Sequence, residues 1–102
     1  MDKDTLVNDL EKAGHLSSES LSRWKEASTL LAVFDAIGRD GANAMVKVDG
    51  SRSDGSTYTV VVSGGKLGEA FFRKDGANLQ VLLEEAASFY RTQIWSPHRQ
   101  RP

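Results

Sequence analysis

Cysteine is absent from this chain, which excludes disulfides, thiolate metal sites and cysteine nucleophiles. A reducing, cytoplasmic compartment suits that composition best. Histidine is nearly as scarce: His15 and His98 stand near opposite ends, and neither has a second histidine or a carboxylate at ligand spacing. No metal or cofactor is therefore expected. Long apolar runs are also missing, since no stretch approaches the ~18 residues of a membrane span. The acidic start, Met1-Asp2-Lys3-Asp4, is followed by no apolar run of signal length, so neither membrane insertion nor export by that route is expected. Charge of one sign is lacking too. With 13 basic and 14 acidic residues the net charge is -1, which generates no long-range field toward nucleic acid or an anionic membrane.

The residues present suit one globular domain. A chain of 102 residues with 39% hydrophobic and 26% charged residues can bury a core and is not compositionally disordered. Residues 1–95 read as that domain. Residues 96–102 read as a flexible polar tail, locally basic and bounded by Pro97 and Pro102.

Hydrophobic spacing sets out the elements. Leu6, Val7, Leu10 and Ala13 recur at helical intervals over 4–13, with Asp4 or Thr5 as cap and Gly14 as a left-handed stop. Ser17 is a good N-cap for a second helix, flanked by Leu16 and Leu21 at the positions of a hydrophobic staple. Leu21, Trp24, Ala27, Leu30, Leu31, Phe34 and Ile37 then form one broad stripe that predicts the longest core helix, ending at Gly38.

Three short runs, 44–48, 57–62 and 70–73, alternate as strands do and are separated by glycine-rich breaks. The first break carries two Asp-Gly pairs and is too short for a crossover helix, so the strands should pair antiparallel as a meander. Asp75-Gly76 predicts the next turn. Asn78 or Asp75 caps a last helix with Leu79, Leu82, Leu83, Ala86, Phe89 or Tyr90, and Ile94 on one face. The resulting fold class is α+β: two layers in the order α-α-β-β-β-α, with a three-stranded antiparallel sheet against helices.

The motifs that would carry chemistry fail on particular residues. Gly65-Lys66-Leu67-Gly68 has the glycine spacing of a KH backbone clamp, but it lies between strands rather than helices, and no Ser or Thr follows Lys66 to make a phosphate loop. Asp49, Ser51 and Ser53 are spaced like calcium ligands, yet Asp54 stands where the loop needs glycine and Val60 where it needs glutamate. No Gly-x-Ser-x-Gly elbow occurs, and Glu84-Glu85 are adjacent helical residues pointing about 100° apart, so they cannot converge on a substrate. The protein is not expected to be an enzyme.

Over 17–94 the order helix, three-stranded meander, helix is similar to the double-stranded RNA-binding domain. That resemblance implies lysines at the start of the last helix, for phosphate contact. Here Asp75-Gly76-Ala77-Asn78-Leu79-Gln80 carries no positive charge, so the family's binding residues have no counterpart. Nucleic acid stays an alternative partner, through Lys66, Arg73 and Lys74. A second alternative is a dimeric secretion-type chaperone or adaptor, joined through an exposed sheet face or the last helix.

The aromatics point to a protein partner instead. Phe71 and Phe72 are adjacent on a strand and must face opposite ways, so one is covered by helices and the other lies on the outer face near Met45 and Val61. Helix one could still fold across that face. The reading that follows is a non-catalytic, protein-binding module of the inhibitor, immunity or antitoxin kind, blocking a toxin or nuclease domain. Its contact residues are expected among Asp49, Asp54, Tyr58, Phe71, Arg73 and Trp95, with the two aspartates mimicking phosphate toward a basic nuclease.

Overall fold

The computed structural model describes residues 2–96. Helix α1 (Lys3–Lys12) and helix α2 (Ser18–Arg39) precede strands β1 (Asn43–Val48), β2 (Tyr58–Ser63) and β3 (Phe71–Gly76), and helix α3 (Leu79–Tyr90) ends the fold. A short 3-10 turn, Gly65–Leu67, interrupts the second hairpin, and a π turn, Arg91–Trp95, extends α3. The sheet is an antiparallel meander in the order β1-β2-β3, so the α+β class and its element order are as the spacing predicts.

Local side-chain chemistry sets the helix ends. Ser17 accepts from the Ser20 amide at 3.1 Å while Ser20 Oγ accepts from the Ser17 amide, a reciprocal box that fixes the start of α2. Asn78 caps α3 by accepting from the Val81 amide at 3.2 Å. For α1 the cap is Asp2, which accepts from the Thr5 amide at 2.8 Å, rather than Asp4 or Thr5. Helix α2 likewise runs through Gly38. It stops at Arg39, one residue beyond Gly38, because Asp40 closes the last turn and Gly41 supplies the left-handed step, with φ of +106°.

The second strand is the centre of the core. Val60 and Val62 are completely buried beneath Ile37 of α2 and Leu83, Ala86 and Tyr90 of α3, all within one cluster. Each such side chain contributes about 1.5–3 kcal/mol relative to exposure. Strand β3 begins and ends later than 70–73, because Asp75 and Gly76 stay paired to Thr59 and Tyr58 instead of turning the chain. Gly76 also lies under Leu82, whose methyl carbon would meet an added Cβ at 3.4 Å.

Only the later part of α2 joins this core. Ala27, Phe34 and Ile37 are buried, but Trp24 and Leu31 remain well exposed, so the broad stripe read from the sequence overstates the burial. At 22 residues α2 is roughly 33 Å long, more than a six-residue strand can cover. Its first turns lie beyond the sheet, next to α1, none of whose residues is buried. Val7 of α1 borders a shallow cleft with Leu21 and Trp24. Helix α1 thus meets only the start of α2 across that cleft, and Met45 and Phe71 stay exposed on the outer sheet face.

The α2–β1 turn and the second hairpin meet at glycine. Gly65, at φ of +57°, lies so near Gly41 that a Cβ would stand 2.5 Å from the Gly41 carbonyl oxygen. Leu67, two residues on, is buried and pins the same turn into the core. Gly65→Ala should therefore destabilise the protein by about 3 kcal/mol, combining left-handed strain with a backbone clash. Gly14→Ala, at φ of +85° with open space around it, should cost only about 1 kcal/mol. Urea unfolding of both variants checks this; equal losses would show that the close approach imposes nothing.

Candidate protein-interaction face

Alternation and register give the outer sheet face three cross-strand rows. They are Asn43–Ser63–Phe71, Met45–Val61–Arg73 and Lys47–Thr59–Asp75. The two outermost side chains of the apolar region are strongly exposed, Phe71 at 63% and Met45 at 56%. Phe72, one residue on, turns inward and packs on Phe89 with ring centroids 5.9 Å apart. The adjacent phenylalanines thus divide between core and surface, and the surface one has no helix over it.

The third row is closed by its own electrostatics. The first hairpin loop folds back so that Arg52 Nη2 donates to Thr59 Oγ1 at 3.2 Å and Nη1 reaches Asp75 Oδ2 at 3.2 Å and the Ser56 carbonyl at 3.4 Å. Its Nε lies 3.4 Å from Asp49 Oδ2. Thr59, whose hydroxyl also donates to Asp75, is consequently only 3% exposed although it points away from the helices. Hydrogen bonding to Thr59 and then to Arg52 holds the Asp75 carboxyl below its ordinary range.

Asp49 serves the same loop. It accepts from the Ser51 hydroxyl at 2.6 Å and the Ser51 amide at 3.0 Å, which lowers its carboxyl to about 2, and Lys47 approaches at 3.5 Å. Those are its oxygens' partners in place of a calcium ion, and among the described residues no three His, Asp or Glu side chains gather at metal distance. Asp54 is exposed and accepts from the Ser56 amide at 2.9 Å.

The six residues singled out from the sequence therefore fall into separate places. Phe71 and Arg73 share the outer face, and Asp49 reaches its margin through Arg52. Asp54 stands on the loop beyond. Tyr58 faces the helix side, edge-on to Trp24 at 6.5 Å, in a cleft of about 300 Å³ also lined by Arg23, Ala27 and Leu79. Trp95 packs edge-on against Tyr90 at 4.9 Å, beyond the end of α3. His98 and the rest of the tail beyond Ser96 lie outside the described residues.

Sequence reasoning missed two polar centres. One is Arg52, a lone cation in a loop of aspartate, serine and glycine. The other is Asp40, which accepts from the Tyr90 hydroxyl at 2.7 Å and from Lys66 Nζ at 2.8 Å. Lys66, the residue a phosphate loop would have used, is thereby committed to an internal carboxylate. Ion pairing with Lys66, then the Tyr90 hydrogen bond, lowers the Asp40 carboxyl. Only the lone apolar Leu67 within that glycine-rich turn signals from the sequence that the turn is fastened down.

Comparison with known protein families, curated proteins and solved structures finds no match to this chain. Among the described residues, no helix is long and apolar enough to cross a membrane.

Tyr90 gives the buried centre a measurable signature. Burial, and next the Asp40 carboxylate, push its phenol up to about 12, whereas an unfolded tyrosine ionises near 10. A raised folded pKa means that this stabilisation is complete below about pH 10 and is lost as pH rises toward about 12, because the unfolded chain releases a proton the folded chain retains. Denaturant unfolding across that window should show a steeper loss for wild type than for Tyr90→Phe. Parallel curves for the two proteins would contradict the assignment.

Proposed function

We propose that the protein is a non-catalytic binding module that covers the working surface of another protein through its outer sheet face. The observation that carries this reading is Phe71, a large aromatic 63% exposed on an edge strand, with half-buried Val61 diagonal to it on β2 and exposed Met45 beyond Val61 on β1. Aromatic residues at the centre of an interface supply most of its binding energy when they are desolvated. Charge favours a protein over a nucleic acid as the ligand. Of the cations on or over this face, Lys47 and Arg52 are already matched by Asp49 and Asp75, leaving Arg73 as a rim charge. A phosphate backbone demands several unmatched cations.

Within that class we favour a small inhibitor of the immunity or antitoxin kind, working in the cytoplasm against a toxin or nuclease domain. Such an inhibitor needs only a rigid, complementary surface. The sheet meets that need, since β2 is paired on both sides and held from beneath by the core. Asp54, exposed at the hairpin tip, is the carboxylate placed to meet a basic partner.

The product of the neighbouring reading frame is the partner to try first, by titration calorimetry and by assaying its activity with and without this protein. Phe71→Arg should weaken binding at least about a hundredfold, as loss of a hot-spot aromatic does. The variant's thermal midpoint should stay unchanged because the side chain is exposed. Full-strength binding by Phe71→Arg, or no inhibition by wild type, would overturn the proposal.

A further inference from the structure

The phase of the β1 hydrogen bonds decides which groups the sheet leaves open. The Asp49 amide donates to the Thr57 carbonyl at 2.7 Å, just past the last paired residues of β1 and β2. Because antiparallel pairing alternates, the amides and carbonyls of Asn43, Met45 and Lys47 face β2. Those of Ala44, Val46 and Val48 point away from it, along the free edge. Among the described residues no other strand lies there, since β1 ends the sheet.

The two edges of this sheet are not guarded alike. Strand β3 presents Arg73, Lys74 and Asp75 in succession, a charged edge of the kind that resists pairing. Strand β1 has continuous register, no proline and no glycine, and Lys47 is its one charged residue. Exposed apolar side chains flank it on both faces: Met45 at 56% on the outer side and Val48 at 60% on the helix side.

We infer that β1 pairs with β1 of a second copy, making a six-stranded antiparallel sheet around a two-fold axis at Val46. Self-complementarity without like-charge opposition favours this occupant. In that register Val46 opposes its counterpart, Ala44 opposes the partner's Val48, and Met45 opposes the partner's Lys47, so no like charges meet. All three outward amides of each strand then find carbonyls. The equivalent two-fold arrangement of β3 sets Arg73 against itself, or Lys74 against itself, which is destabilising. A two-fold contact requires such self-complementarity, and β1 has it. The two outer faces become continuous, which widens the surface carrying Phe71 whatever protein that surface meets.

Position 45 tests both the pairing and its register. Met45 is exposed and on the outer face, so neither substitution should disturb the fold, which circular dichroism verifies. Sedimentation equilibrium of the full chain over micromolar to millimolar concentrations should show a reversible dimer for wild type. Met45→Lys places lysine opposite the partner's Lys47 twice per dimer and should weaken association about tenfold. Met45→Glu places a carboxylate there and should leave association intact or strengthen it. A monomeric wild type across the range, or equal weakening by both substitutions, would overturn the inference.

Discussion

The fold depends on one junction, where the end of α2, the second hairpin and the end of α3 meet at Asp40. Its carboxylate accepts the Tyr90 hydroxyl and the Lys66 ammonium, joining segments 50 and 26 residues away. One residue on, the Gly41 carbonyl lies against the Cα of Gly65. The charge is worthwhile here because it is only partly withdrawn from water, with Asp40 about one-fifth exposed, so the desolvation cost of a fully buried ion is avoided. Tyr90 supplies the buried half of the arrangement: its ring fills the core and its hydroxyl satisfies the carboxylate at the boundary.

From that junction the two sheet faces acquire different characters. On the helix side the cluster around Val60 and Val62 is closed by α2 and α3. On the outer side only the far row is closed, by Arg52, and the closing groups are charges rather than apolar side chains. A guanidinium shared by two carboxylates, a hydroxyl and a carbonyl is a fixed plug, well satisfied and with little to gain from a partner. The apolar rows are in the opposite condition: Phe71 and Met45 have backbone positions set by the sheet but nothing over their side chains. Binding energy concentrates where rigid apolar surface is still wet, which is why the proposed interaction face is centred on Phe71, with the acidic loop at its margin.

Much of this was legible in the residues. The run of β-branched and aromatic residues in 57–62 gives β2, Ser17 and Asn78 announce their helices, and the adjacency of Phe71 and Phe72 requires one of them to face outward. The errors have a common cause. Asp75-Gly76 has turn composition, but pairing to Thr59 and an ion pair with Arg52 keep it in the strand. Trp24 has core spacing, but the sheet beneath α2 is too short to reach it fully. In each case a long-range partner, or its absence, overrode a local preference. The Asp40–Tyr90 contact is the extreme example, because nothing in the neighbourhood of either residue refers to the other.

The same distinction bears on the absence of recognisable motifs. Phosphate loops and calcium loops demand particular residue types at particular spacings, so their signatures are local and can be read in the sequence. A protein-binding face demands only that apolar side chains share a surface, and on a meander that surface is assembled from residues about ten apart or more: Met45 to Val61, Val61 to Phe71. Its signature is therefore the register, not a motif. Lys66 and Asp49, the most suggestive members of the phosphate and calcium patterns, have hydrogen-bond partners within the chain, Asp40 for Lys66 and Ser51 for Asp49. Among the described residues the sheet leaves uncovered Phe71 and Met45 on its outer face and Val48 along the β1 edge, whose outward amides have no acceptor in the sheet. Those features are the ones on which the proposed protein contacts rest, since apolar side chains and strand amides are complemented by another protein surface better than by a small polar ligand.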